Sequence, residues 1–157
     1  MKKIAVIYYS KTGNTEKMAE LTAEAARDDG GVDVSLMKAE DVSAGDLPVL
    51  DGIIIGTPTY YGTAAWQIKK LIDESVSFHG KLTGKVGGAF ASAANIGGGN
   101  ETAILSILEA LLIHGMIVQG TAKGDHYGAV SIGNPDERAR TQCSQLGRNV
   151  AELVKKL

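Results

Sequence analysis

The sequence predicts an α/β domain built as an open, doubly wound parallel sheet with helices on both faces. Three observations predict it. Apolar, β-rich runs alternate with helical patterns from one end of the chain to the other, the signature of a parallel sheet. The opening run, Lys3 to Tyr9, is almost continuously apolar, as a strand covered on both faces must be. Three segments rich in Gly, Ser, Thr and Asn (Ser10 to Asn14, Thr57 to Thr63, Ser92 to Asn100) fall just beyond strands. Sheets of this kind bind ligands there, outside the carboxyl ends of the strands, at the switch point.

The elements follow in order. After the first strand, Thr15 to Arg27 reads as a helix with Met18, Leu21 and Ala25 on one face, ended by Gly30-Gly31. Asp28-Asp29 reads as a solvated helix end. Val32 to Leu36 alternates, as a strand nearer the sheet edge does. Beyond a loop with Gly45 and Pro48, Leu50 to Ile55 forms a third strand. Ala64 to Ser77 forms a helix with Trp66, Ile68, Leu71 and Ile72 available for packing. Lys85 to Ala91 is a fourth strand, Asn100 to His114 a very apolar helix capped by Asn100, and Met116 to Val118 the start of a fifth strand. Pro135 opens the last helix, since proline suits a first-turn position. Ala139, Cys143, Leu146, Val150, Leu153 and Leu157 mark its buried stripe. No repeat or linker interrupts the pattern, so residues 1–157 read as one domain.

Composition narrows the function. A chain of 157 residues with 44% hydrophobic and 22% charged residues reads as a soluble globular domain. The formal net charge of −2 gives no basic footprint for nucleic acid. No apolar run approaches the ~20 residues of a membrane span, and Ile4 to Tyr9 is too short for a signal-peptide core, so the cytoplasm is expected. A single cysteine, Cys143, excludes an internal disulfide and reads as a packed core thiol. His79, His114 and His126 lack metal-ligand spacing, and no metal is expected.

The first loop, Ser10-Lys11-Thr12-Gly13-Asn14-Thr15, lies between a strand and a helix. Backbone N–H groups and the helix dipole attract an anion there. Ser10, Thr12 and Thr15 carry hydroxyl donors, and Gly13 lets the backbone curl close to a ligand. The pattern lacks the Gly-Lys-Ser/Thr ending of a Walker loop and is not a Gly-x-Gly-x-x-Gly dinucleotide fingerprint. It suits a terminal monophosphate bound mainly by neutral donors, with Thr15 as an ordinary N-cap the plainer alternative.

The segment resembles the flavodoxin pattern Ser/Thr-x-Thr-Gly-x-Thr, in the place where that family has it. The resemblance implies FMN as cofactor and five parallel strands in the order 2-1-3-4-5. The second loop then supplies Thr57, Pro58, Thr59, Tyr60, Tyr61 and Gly62, with a tyrosine walling the flavin ring. The third supplies Ser92, Ala93, Ala94, Asn95, Gly97 and Gly98 for the ribityl chain and ring. The segments GTPTYYG, GGGNET and LLIHGM, and the run Tyr127-Gly128-Ala129, resemble the WrbA-type NAD(P)H:quinone oxidoreductases within the superfamily. Members of that branch are commonly longer, and Ile113 stands where they often have the first of two histidines.

The resemblance implies an FMN-dependent oxidoreductase that moves two electrons from NAD(P)H to a quinone-like acceptor. His126 and Tyr127 are its candidate catalytic residues, and Tyr61, Phe78, His126 and Tyr127 would shape the acceptor pocket, with His79 at its rim. His126 also reads as a solvated loop histidine. His114, at a helix end before Gly115, reads as a cationic C-cap. The alternative function is a one-electron flavodoxin carrier serving a redox protein, with an acidic patch around Asp41, Asp46 and Asp51. A third is a module that keeps FMN without turnover. The helix Thr102 to Ile113, apolar nearly all round, predicts unusual burial or self-association, and a homodimer or higher oligomer is expected.

Overall fold

A computed structural model describes residues 1–157. Strand β1 (Lys2–Tyr8) is followed by α1 (Asn14–Asp28), β2 (Val32–Lys38), β3 (Gly52–Tyr60), β4 (Thr63–Ala64) and α2 (Trp66–Glu74). Then come β5 (Val86–Ala93), α3 (Asn100–Ile113), β6 (Ile117–Val118), β7 (Val130–Ile132) and α4 (Glu137–Lys156). Short 3-10 turns at Ala39–Asp41, Ala44–Val49 and Ser75–Phe78 fill the crossovers.

The sheet runs β2-β1-β3-β5-β6 with every neighbouring pair parallel. β7 pairs in parallel with the far end of β5, and β4 turns back antiparallel on β3. The expected fifth strand is thus one sheet position filled by two short strands. β6 meets Val86 and Gly87, and β7 meets Ala91 to Ala93. The residues between them leave the ladder and return.

The period-2 alternation of strand side chains builds two cores. Ile4, Val6 and Tyr8 of β1, Ile54 of β3 and Phe90 of β5 pack beneath α1 and α4. Ala5, Ile7, Ile53, Ile55, Ala89 and Ala91 face α2, α3 and the 3-10 turns. Both sets are almost free of polar atoms, which is why the central strands read as unbroken apolar runs.

Local chemistry shifts several boundaries. α4 starts at Glu137, and Asp136 is its cap, accepting from the Ala139 N–H at 2.8 Å; Pro135 therefore lies outside the helix. Gly99, in the left-handed region, caps α3, so Asn100 is its first residue. Asp29 is not simply solvated, because it pairs with Lys155 at the end of α4. Burial explains most of α3's apolar surface. Ala103, Ile104, Ile107, Leu108 and Leu111 are buried, and Leu112 and Ile113 are exposed. No helix is long and apolar enough to cross a membrane.

Candidate functional site

The sheet changes winding direction between β1 and β3, and a cavity of about 350 Å³ lies beyond their carboxyl ends. That volume falls within the ~300–1,000 Å³ of small-ligand sites. All three sequence-predicted loops reach it.

From the first loop, Lys11, Thr12, Asn14 and Thr15 line the cavity. Gly13 adopts φ 100° and is the N-cap of α1. The Gly13 N–H donates to Ser10 Oγ at 3.1 Å, so Ser10 shapes the turn from behind. The backbone N–H groups of Lys11, Thr12, Asn14 and Thr15 make no hydrogen bond within the chain. Four uncommitted donors at the head of a helix form a nest for an anion. The Thr15 hydroxyl is already engaged. It is buried and lies 2.8 Å from Ser92 Oγ, tying the first loop to the third.

The second segment is a continuation of β3, not a loop. β3 runs through Tyr60 and turns back into β4 through a two-residue connection, Tyr61-Gly62, with φ of 50° and 77°. Positive φ at both central positions is the geometry of a type I′ hairpin, which usually takes Asn-Gly. Tyr61 is the only non-glycine residue with positive φ and is fully exposed. Pro58, Thr59 and Tyr60 line the cavity. The Thr59 hydroxyl is shielded from solvent and has no partner. Thr57 is structural, since its hydroxyl donates to Pro58 O at 2.7 Å and accepts from the Ala65 N–H at 2.9 Å.

The third loop contributes Ser92, Ala93 and Ala94 to the lining. Asn95, Gly97 and Gly98 lie beyond it. The hairpin is fastened to this loop and to α3. Thr102 Oγ1 donates to Gly62 O at 2.6 Å, and the Ala64 N–H donates to Ser106 Oγ at 3.3 Å. Gly133, just after β7, also lines the cavity and is a residue the sequence reading missed. Its signal was the Gly-Asn-Pro turn before the last helix. Next to it, Asn134 Oδ1 accepts from Lys17 Nζ at 2.7 Å.

His126 and Tyr127 stand apart from this lining. They belong to the excursion between β6 and β7, along the free edge of β5. Asp125 staples that excursion to α4: it pairs with Arg138 at 2.7 Å, and its N–H donates to Gln142 Oε1 at 3.0 Å. His126 Nδ1 lies 2.8 Å from Thr121 O, and Tyr127 is half exposed. Phe78 and His79 are far from the cavity. They precede β5 and sit at the amino end of the sheet, so neither shapes an acceptor pocket there. His114 is at that end too. It is buried and bonded to Ser75, and burial, with His79 beside it, lowers its pKa; it is not a cationic cap. Two carboxylates of the expected acidic patch have backbone partners and stay charged. Asp46 accepts from the Ser43 N–H and Asp51 from the Lys3 N–H, and the latter bond holds the Asp51 carboxyl below its ordinary pKa. Cys143 is fully buried, which pushes its thiol up to about 12.

The profile of the family described as Flavodoxin matches residues 6–133. The chain belongs to the flavodoxin family. It is 42% identical to a flavodoxin of Clostridium saccharobutylicum, with 99% of each chain covered. It is 34% identical to an NAD(P)H dehydrogenase (quinone) of Archaeoglobus fulgidus, with 100% of each covered. Among solved structures, the flavodoxin, WrbA-like protein from Agrobacterium tumefaciens superposes with a TM-score of 0.81 at 25% identity, covering 99% of both chains. Relatives named flavodoxin and NAD(P)H dehydrogenase (quinone) thus both align over nearly the whole of this chain. The site residues also fit the family's cofactor on their own evidence, through the four uncommitted N–H groups and the orphaned Thr59 hydroxyl.

Proposed function

We propose that this flavodoxin-family chain binds FMN and serves as an oxidoreductase, taking electrons from NAD(P)H and passing them to a quinone-like acceptor. The observation that carries the FMN reading is the nest of four free N–H groups beside a cavity the size of a small ligand. When bound, FMN supplies the electron storage, and the protein supplies binding, orientation and access. The N–H groups of Lys11, Thr12, Asn14 and Thr15 would hold the phosphate, with the Lys11 side chain as the one charge in the lining. Thr59, Ser92, Ala93 and Ala94 would hold the ribityl chain and the ring edge. Tyr60 would wall the ring.

The reductase reading is supported by the access this site allows. Tyr60, Tyr61 and Ile96 carry exposed apolar surface on the loops around the cavity. A flat apolar acceptor finds matching surface there, since aromatic faces stack offset or edge to face. No Asp or Glu lines the cavity. Tyr127 and His126 remain candidates for the acceptor's side of the site, on the edge segment nearest to β7.

A specific observation favours the carrier reading as well. Alignment with the quinone dehydrogenase spans 191 positions against 157 residues here, so about 34 positions of that relative have no counterpart. Alignment with the Clostridium flavodoxin spans 164. This chain therefore has about the length of that Clostridium flavodoxin.

Anaerobic mixing of the FMN-loaded protein with NADPH, and then NADH, separates the two. Rapid bleaching of the flavin, reversed by benzoquinone, is the reductase outcome. Indifference to both nucleotides, with dithionite reduction in two resolved one-electron steps, is the carrier outcome.

A further inference from the structure

A second cavity, of about 360 Å³, opens at the amino end of the sheet, where α3 ends beside α2 and the Ser75–Phe78 turn. It shares no residue with the phosphate nest. Its walls are mostly apolar, with Ile72, Val76, Ala110 and Ile113, and carry one charge, Asp73; Val76 and Ile113 are exposed. At its floor is His114, 8% exposed, whose Nδ1 has no hydrogen-bond partner.

The Ser75 hydroxyl fixes the tautomer of that ring. Ser75 Oγ has one hydrogen and donates it to Ile72 O at 2.6 Å. Toward His114 Nε2, 2.8 Å away, it can only accept, so Nε2 carries the ring proton. Burial, and then His79, lowers the His114 pKa, so the ring is neutral near pH 7. Nδ1 is then a bare lone pair withheld from water. Such an acceptor destabilises the free protein until a donor reaches it. The exposed His79 ring leans on it, centroids 5.7 Å apart and tilted by 40°, and makes no side-chain hydrogen bond of its own. For a ligand to reach Nδ1, the exposed His79 ring must turn aside.

We propose that this groove is a second ligand site, which takes a small aromatic molecule carrying one hydroxyl donor, a phenol. The hydroxyl hydrogen goes to His114 Nδ1, and the ring lies between His79 and the apolar walls. A carboxylate or phosphate is disfavoured, because the floor offers an acceptor and the one charge in the lining, Asp73, is negative. A purely apolar molecule leaves the lone pair unpaired.

The test is a titration of the ¹⁵N-labelled, FMN-loaded protein with 4-methylphenol, followed at His114 by long-range proton–nitrogen NMR. The expected result is a protonated Nε2 before ligand and a saturable shift of Nδ1 on titration, with the flavin spectrum unchanged. Toluene, which lacks the hydroxyl, should bind at least tenfold more weakly. Ala110→Leu fills the groove far from the nest and should abolish the shift while FMN affinity holds. A ring proton on Nδ1, no saturable shift, equal affinity for toluene, or an unaltered shift in the leucine variant overturns the proposal. The readout is His114 and not the flavin, so the apo-protein gives the same answer even if FMN fails to bind.

Discussion

Thr15 and Ser92, 77 residues apart in sequence, share a buried hydrogen bond of 2.8 Å that clamps the first loop to the third. Each is the other's only side-chain partner. Thr15→Val keeps the shape and strands the Ser92 hydroxyl, so it should lower stability by about 1–3 kcal/mol. Adding Ser92→Ala should recover much of that loss. Urea unfolding of the two single variants and the double variant measures the coupling, and strictly additive losses would show that the bond contributes nothing.

Thr12→Asp places a carboxylate where four N–H groups await an anion. FMN affinity should fall at least tenfold, about 1.4 kcal/mol, with the melting temperature of the apo-protein unchanged. Calorimetric titration of wild type and variant decides it.

Tyr61 holds a left-handed conformation that suits asparagine far better. Tyr61→Asn should stabilise the apo-protein by about 1 kcal/mol. If the tyrosine helps to cover the ring, the same variant should bind FMN more weakly. Unchanged affinity would leave Tyr61 without a part in the site.

Gly128 combines φ 145° with a position where a Cβ would overlap the Ala89 carbonyl oxygen. Gly128→Ala should cost more than about 1 kcal/mol and lift the His126–Tyr127 segment from the edge of β5. Faster amide exchange at Ala91, whose N–H bonds to Ala129 O at 3.0 Å, would report the displacement.

His114 makes stability depend on pH. The unfolded chain takes a proton on this histidine near pH 6.5, whereas burial makes the folded chain resist it. Its contribution is therefore complete above about pH 6.5 and falls as the solution becomes more acidic. Urea midpoints at pH 8 and pH 5.5 should differ less for His114→Gln than for wild type.

The fold was legible because its signals are local. Ile4 to Tyr8 and Ile53 to Ile55 are apolar on both faces, and Gly30-Gly31 punctuates a helix end. The first loop, with its uncommitted N–H groups, was legible for the same reason, being six consecutive residues. The split strand was not, because two- and three-residue strands carry no periodicity, and only pairing with β5 defines them. The hairpin was hidden by Tyr61 in a place where Asn would have announced a turn. The burial of His114 was illegible for a different reason. Ser75 lies 39 residues away, and only the fold brings the two together. Phe78 and His79 were misplaced because their position depends on which end of the sheet a connection returns to.

The packing of α4 on α1 bears on how the protein is made. The core beneath those helices draws Met18, Ala19, Ala23 and Ala26 from one and Cys143, Leu146, Val150 and Val154 from the other. A ribosome delivers the first set long before the second. Until the twenty residues of α4 emerge, much of that side of the nascent sheet stays greasy and uncovered, although every loop that lines the cavity is already out. Completion of the domain must wait until α4 has cleared the ribosome. A stop codon before residue 137 would yield a chaperone client and not a shortened flavoprotein.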